Sequence, residues 1–459
     1  MKDFSSIYFV GAGGIGMAAL ERYYLSKGVK VAGYDRTSTA LTQELEKEGV
    51  EICYEDGADK IPSYCRDKEN TLVVYTPAIP DSHEGLQYFR NNGFNIMKRA
   101  QLLGLITRNS KGLCFSGTHG KTTTSSMAAH ILHNSPIGCN AFLGGILRNY
   151  DSNLLLSATS PYSVIEADEF DRSFHHLSPY IAVITATDPD HLDIYGTEEA
   201  YLESFAHFTS LIQKNGILIV HTGLKVKPRP DKSVTQYSYS RNEGDFHAEN
   251  IRKGNGEITF DFVSPKGVVK DVKLGVPVDI NIENAVASMA VCTLVGVEPE
   301  DMKRAISSFL GAKRRFEFWV KEPGQDGKVM IDDYAHHPDE LKASISSVKD
   351  LYPNRKLTVI FQPHLYSRTR DFARQFAEAL SLADDVILLD IHPAREEPIL
   401  GVTSEIIFKD IKCRNKAICN KNDLIDFAKN YNFDVLLTVG AGDISNYLPE
   451  LCDIIKKQH

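Results

Sequence analysis

The sequence predicts an α/β protein of about three domains, and three observations carry that expectation. Short β-rich runs alternate with helical stretches along most of the chain. Two glycine-rich turns each follow such a run and open a helix. The length, 459 residues, exceeds what one ordinary core accommodates.

Residues 1–107 form the first segment. SIYFV, VKVAGYD and TLVVYTPA read as strands with helical spacing between them, the pattern of a parallel sheet with crossover helices. The second segment, 108–311, opens with GLCFS as a strand and TTTSSMAAHILHN as a helix, followed by YSVIEAD and YIAVITAT as strands. Residues 223–275 turn richer in Lys, Pro, Gly and Asn, with alternating runs such as GEITFDFV; a small antiparallel β appendage is expected there. NIENAVASMAVCTLVG returns to a helix. In the third segment, 312–459, KVMIDDYA, KLTVIFQP, DDVILLD and DVLLTVG read as strands between helices such as DELKASISSVKDLY and RDFARQFAEALSLA.

Composition narrows the class. Hydrophobic residues make up 42% and charged residues 24% of the chain, the mixture of a soluble globular protein. The net charge of −9 disfavours a general grip on nucleic-acid backbones, yet leaves room for a basic pocket around a small anion. The 8 cysteines are scattered without a C-x-x-C pair, which argues against a zinc site or disulfide framework. MKDFSSIYFVGAGG runs directly into a strand and turn, and no apolar run is long enough to cross a bilayer. A cytoplasmic protein without membrane insertion is expected.

The second glycine turn, Gly117-Thr118-His119-Gly120-Lys121-Thr122-Thr123, lies between a strand and a helix. Phosphates need converging N–H donors, a cation and a hydroxyl that holds Mg²⁺; glycines let the backbone approach, and the helix N-terminus adds its dipole. Lys121 is placed to reach the β- and γ-phosphates of ATP, and Thr122 to hold the metal. The G-x-x-x-x-G-K-[ST] pattern fails, because Phe115 stands where its first glycine belongs. A shorter G-x-x-G-K-T-T loop is present instead. A bare GKT is often only a helix start; the strand before it and the hydroxyl-rich helix after it favour phosphate.

The first glycine turn, Gly11-Ala12-Gly13-Gly14-Ile15-Gly16, fits G-x-G-x-x-G after a strand, and Asp35 ends the next strand. Alone it predicts an NAD-dependent dehydrogenase. A dehydrogenase needs no second phosphate loop, so a second nucleotide, such as a UDP-sugar diphosphate, is the preferred occupant of Gly13, Gly14 and Gly16. Glycines serving only helix–strand packing are the bland alternative.

Carboxylates follow at two strand ends: Glu166, Asp168, Glu169 and Asp171, then Asp188, Asp190, His191 and Asp193. Acids beside a phosphate loop are what hard Mg²⁺ requires. Downstream, DDYAHHPDE groups Asp332, Asp333, Tyr334, His336 and His337; FQPHLYSRTRDF groups His364, Arg368 and Arg370; Arg314 and Arg315 precede both. Such a set suits an acyl-phosphate, a leaving phosphate and a carboxylate, although each arginine could equally serve a surface ion pair.

GAGGIGM, SGTHGKTTT, EADE, DPDHLDIY, NIENA, KRRFE, DDYAHHP and QPHLYSRTRDF occur in the order seen in Mur ligases, and the chain resembles that family over nearly its whole length. The resemblance implies a Rossmann-like UDP-binding domain, a central P-loop ATPase domain and a C-terminal Rossmann-like domain. It implies ATP-dependent ligation with Mg²⁺, and DDYAHHP with QPHLYSRTRD most resembles members that join L-alanine to UDP-N-acetylmuramate. By that resemblance, Gly13, Gly14, Ile15, Gly16, Met17, Asp35, Thr76, Arg99 and Tyr334 serve substrate. Gly117 to Thr123, Asn281, Asn284, Arg315 and Asp333 serve the nucleotide; Thr122, Glu166 and His191 serve metal. Lys121, Glu166, His191, His336 and Arg368 carry the chemistry. A monomer or homodimer is expected.

Some positions depart from the family pattern. Gln101 stands where many members have Glu, Leu365 where many have Arg, and Ile280 where siblings often have His. No lysine lies between His191 and Gln213, where several siblings carry a carbamylated one, so no such modification is expected. A tripeptide-adding recycling ligase, a dehydrogenase and a non-catalytic nucleotide-binding regulator are the competing functions.

Overall fold

The computed structural model describes residues 4–76, 79–189, 192–254, 256–324, 326–394 and 396–458. The sequence-predicted site residue His191 and its neighbour Asp190 lie outside the described residues. The fold is mixed α/β with sheets that are mostly parallel, as expected.

The first sheet has 5 parallel strands in the order Glu51–Cys53, Lys30–Tyr34, Ser6–Val10, Thr71–Tyr75, Asn95–Lys98. The chain therefore leaves Ser6–Val10 first to one side and then to the other. Ligands of such sheets bind beyond the strand ends at that reversal, and the Gly11–Gly16 turn emerges there. SIYFV is buried at every position, as a strand covered on both faces must be.

The central sheet has 7 strands. Lys111–Ser116 sits between Tyr162–Glu166 and Ile181–Ile184, all parallel, so its C-terminal end, where Gly117–Thr123 begins, is again a reversal point. Asn140–Leu147 pairs parallel to Tyr162–Glu166 and antiparallel to the edge strand Ser152–Leu155. Ile217–His221 and Thr235–Tyr239 extend the other side in parallel. Thr235–Tyr239 was expected in the β appendage. Tyr239 is fully enclosed with its ring 5.3 Å from that of His221, and this packing draws the strand into the central sheet. The appendage is correspondingly smaller: His247–Gly254, Glu257–Ser264 and Gly267–Lys273 pair in that order. The short link between the last two permits only an antiparallel turn.

The third sheet has 6 strands. Glu317–Lys321 pairs antiparallel to Val329–Asp333; beyond it Val435–Val439, Leu357–Phe361, Asp385–Leu389 and Asn415–Cys419 run parallel. The helix Pro338–Leu351 starts sharply because Pro338 occupies its first turn, while His337 and Glu340 cap it reciprocally.

Two compact units result. One comprises Met1–Glu249, Phe262–Val269 and Glu283–Ile306; the other comprises Asn250–Asp261, Lys270–Ile282 and Ser307–His459. Within the first unit, the helix Arg99–Arg108 meets the segment Phe170–His176 backbone to side: a Cβ on Gly104 would sit 2.1 Å from the His176 carbonyl oxygen. Only glycine permits that approach.

Glu21 is an oddity of this unit. It lies on the helix Ile15–Ser26 with no exposed surface, and neither carboxyl oxygen has a hydrogen-bond partner. Burial pushes its carboxyl well above the usual range. The folded state then holds a proton that the unfolded chain releases, so this group's contribution to stability falls as pH rises above the ordinary carboxylate range. Glu21→Leu is expected to stabilise the protein by roughly 1–3 kcal/mol. The gain in thermal midpoint should grow between about pH 5 and about pH 8; a constant gain would show that ionisation plays no part.

Candidate active site

The phosphate loop is shaped by its two glycines. Gly117 has φ +142° and Gly120 φ +82°, conformations that residues with side chains rarely adopt. A Cβ on Gly117 would meet Thr185 Oγ1 at 2.2 Å and the Ala186 nitrogen at 2.7 Å. The loop is pinned from the neighbouring strand end: Thr118 N donates to Ala186 O at 3.0 Å, Thr118 Oγ1 to Asp188 O at 2.7 Å, and Thr185 Oγ1 to His119 O. Gly120 then opens the helix Lys121–His133, whose first amides face the loop without a side-chain cap. Free N–H groups and the positive end of the helix dipole make an anion seat.

Lys121 Nζ donates to Gly117 O at 2.6 Å and to the Glu169 carboxylate at 2.8 Å. Thr122 Oγ1 donates to Glu166 Oε1 at 2.9 Å, and Gly144 N donates to Glu166 Oε2 at 3.0 Å. Enclosure raises the Glu166 carboxyl, against the pull of Thr122 and Lys121. A carboxylate disfavoured by its surroundings and meeting a hydroxyl beside a phosphate seat fits Mg²⁺, which takes one or two protein carboxylates and fills its remaining positions with phosphate and water. Among the described residues no three His, Cys, Asp or Glu side chains gather around one point. Asn284 supports the loop from behind: Thr124 Oγ1 donates to its Oδ1 at 3.1 Å, and a Cβ on Gly120 would lie 2.9 Å from that oxygen.

At the first glycine turn, Gly14 caps the helix Ile15–Ser26. Asp35 holds the turn itself: Gly13 N donates to its Oδ2 at 2.7 Å and Thr37 N to its Oδ1 at 3.1 Å. Arg99 lies over the turn, since a Cβ on Gly16 would be 2.4 Å from its Nη1. Thr76 Oγ1 flanks Gly11, 3.4 Å from where a Cβ would stand. Ile15 is exposed and Met17 buried, so only the first of these two offers its side chain to a ligand. One residue that sequence reasoning passed over ties this turn to the central sheet: buried Asn153 donates through Nδ2 to Ile15 O at 2.9 Å and Leu143 O at 3.3 Å. The sequence signal is SNLL, the edge strand Ser152–Leu155 paired to NAFLGGIL.

The second unit holds the remaining sequence-predicted residues. Asp332 and Asp333 end the strand Val329–Asp333. Burial pushes Asp332 up to about 6, while Thr438 and Arg314 pull it down; Thr438 Oγ1 donates to it at 2.8 Å. Arg314 is committed to structure, donating to Asp332 Oδ2 at 3.4 Å and to Gly440 O. Arg315, between left-handed Arg314 (φ 59°) and Phe316 (φ 45°), is exposed; strained flanks of this kind persist only where their surroundings enforce them. Phe316 N donates to Asp333 Oδ1 at 3.2 Å. Asn281 turns inward, donating to Val276 O at 3.1 Å.

The His336 ring is oriented by its own loop. Its Nδ1 lies 2.9 Å from Tyr334 O; a carbonyl only accepts, so Nδ1 donates there. Glu340 accepts from the backbone amides of His336 and His337 at 3.0 Å and 3.1 Å. The His364 ring stands 6.2 Å from His336 and is pushed down to about 4 by burial and by the charge of Arg368. Leu365 is left-handed at φ 69°, and its amide donates to His392 O at 3.0 Å.

Two glycine turns at two sheet reversals, with a lysine and a carboxylate–hydroxyl pair at the second, fit an enzyme that couples a nucleoside triphosphate to a second bound molecule. The chain belongs to the Mur ligase family, and it is an ATP-dependent ligase. Residues 6–111 match the Mur ligase family catalytic domain, 115–292 the Mur ligase middle domain and 314–442 the Mur ligase glutamate ligase domain. The chain is 59% identical to the UDP-N-acetylmuramate–L-alanine ligase of Phocaeicola vulgatus over 459 residues, covering 100% of both. It is 58% identical to the enzyme of that name from Parabacteroides distasonis, covering 99% of this chain and 98% of the relative. The crystal structure of the Thermotoga maritima UDP-N-acetylmuramate–alanine ligase is similar at a TM-score of 0.78 and 27% identity, covering 99% of this chain and 100% of that one.

Proposed function

We propose that this protein joins L-alanine to the lactoyl carboxylate of UDP-N-acetylmuramate through an acyl-phosphate, in peptidoglycan precursor synthesis. The observation that carries this reading is the full-length match to relatives bearing that name. It is supported by a phosphate loop whose lysine is fixed on Gly117 O and whose Thr122 hydroxyl meets the Glu166 carboxylate.

A carboxylate is a poor electrophile. Transfer of the γ-phosphoryl group of ATP to a carboxylate oxygen releases ADP and gives the carboxyl carbon a good leaving group. The amine of alanine then attacks that carbon, a C–N bond forms, and phosphate departs from the tetrahedral intermediate. Lys121 and the loop amides hold the triphosphate and spread its charge. Thr122 and Glu166, with His191, would hold Mg²⁺, which neutralises phosphate charge when bound. Gly13 to Met17, Asp35, Thr76 and Arg99 form the seat of the UDP-substrate; Tyr334, His336 and Arg368 are assigned to the amino-acid half of the reaction, and Asn281, Asn284, Arg315 and Asp333 to the nucleotide. Residues 1–107, 108–311 and 312–459 are taken as the three functional domains, and the cytoplasm, which supplies ATP, as the location.

Acceptor competition tests the reading. ADP release is expected only when UDP-N-acetylmuramate and L-alanine are both present. Turnover with a tripeptide acceptor but not with alanine would replace it with the recycling activity.

A further inference from the structure

Of the three acids in the motif Glu166–Asp171 that the metal and substrate assignments leave out, Glu169 is the one that is buried. Glu169 is 1% exposed, and its carboxylate stands 2.8 Å from Lys121 Nζ. The loop that carries it is firmly built. Tyr195 Oη donates to the Glu169 carbonyl, and the Arg172 guanidinium stacks 4.7 Å from the Tyr195 ring centroid. Phe174 N closes the turn on Asp168 O at 2.9 Å. Two consecutive residues, Asp171 and Arg172, are left-handed at φ 50° and 54°, a strained geometry that survives only where its surroundings enforce it.

We propose that Glu169 is a positioning residue for phosphoryl transfer: it holds the Lys121 ammonium at the rim of the phosphate loop and shares it with the triphosphate. An ammonium has three donors. Gly117 O takes one at 2.6 Å and Glu169 a second at 2.8 Å, while the third meets Thr118 O only at 3.4 Å, a long contact that a phosphate oxygen can replace. The long lysine side chain is thereby fixed before ATP arrives. The same carboxylate prevents the ammonium from settling fully onto the ground-state triphosphate. An interaction withheld from the ground state and available as charge shifts during transfer accelerates the chemical step. The cost is weaker ATP binding, because a fixed anion faces a polyanion.

This inference rests on the ligase reading above and predicts an opposed change in two constants. In Glu169→Gln, which keeps shape and hydrogen bonding but loses charge, kcat for ADP release at saturating UDP-N-acetylmuramate and L-alanine should fall by about 10-fold or more, while KM for ATP falls about 3-fold or more. A side chain that merely braced the loop would raise KM instead. Tyr195→Phe loosens the loop while keeping the carboxylate, so kcat should fall with KM for ATP at or above that of the unaltered enzyme. Direct titration of each folded variant with adenylyl-imidodiphosphate, a non-hydrolysable ATP analogue, gives affinity without turnover and should show tighter binding only in Glu169→Gln. Analogue affinity that is unchanged or weakened in Glu169→Gln, an unchanged kcat, or the same tightening in Tyr195→Phe overturns the proposal. Absence of any acceptor-dependent ADP release by the unaltered enzyme would instead overturn the ligase reading, and the titration would still decide the role of Glu169 at the loop.

Discussion

Lys121→Ala is expected to abolish ligation while leaving the UDP-substrate bound. Lys121 is the cation of the phosphate loop, bonded to Gly117 O at 2.6 Å, and no other side chain of Gly117–Thr123 can supply a permanent positive charge there. Removing one preorganised group that stabilises developing charge costs about 10²–10³-fold in rate. The Gly11–Gly16 turn is built separately, by Asp35 and Gly14, so calorimetric titration should find UDP-N-acetylmuramate binding within a few-fold of the unaltered protein. Loss of that binding would disprove separate seats. The substitution also strands Glu169, whose buried carboxylate loses its counter-charge; breaking a buried pair in this way costs about 3–5 kcal/mol. Lys121→Ala combined with Glu169→Gln should therefore recover much of the thermal midpoint and none of the activity. If stability and activity returned together, the loss in the single variant would reflect misfolding.

Glu166→Gln is the second large effect. The amide can still accept from Gly144 N and engage Thr122, as the carboxylate does at 3.0 Å and 2.9 Å, so the fold should persist. What disappears is the negative charge that the proposed Mg²⁺ site would use. Ligation should fall by about 10²-fold or more, and the Mg²⁺ concentration for half-maximal ADP release should rise about 10-fold or more. An unchanged Mg²⁺ requirement would remove Glu166 from the metal's surroundings.

Much of this architecture could be read from the chain because its signals are local. Strands such as SIYFV and LTVIF are covered on both faces and so are mostly apolar; a glycine turn followed by GKTTT declares a strand, a loop and a helix in succession. What escaped reading depends on distant partners. Thr235–Tyr239 resembles any edge strand until Tyr239 is seen packed on His221. Asn140–Leu147 carries two adjacent glycines, and the amide of the first, Gly144, serves Glu166, a purpose no spacing reveals. Asp35 was legible as an acid at a strand end, but not as the clamp on Gly13. Arg314 and Arg315 are neighbours of one chemical type. Only the coordinates show that the first is spent on Asp332 and Gly440 while the second is exposed.

Gly104 sets a limit on how such an enzyme can be recombined. Its missing side chain lets one backbone rest against the His176 carbonyl, and Asn153 reaches from the central sheet to the Ile15 carbonyl. The module built on the first parallel sheet is thus not a detachable cassette. A chimera that took residues 1–107 from a relative would inherit half of each seam, and it would hold together only if the donor also offered a glycine at the first seam and the same turn at the second.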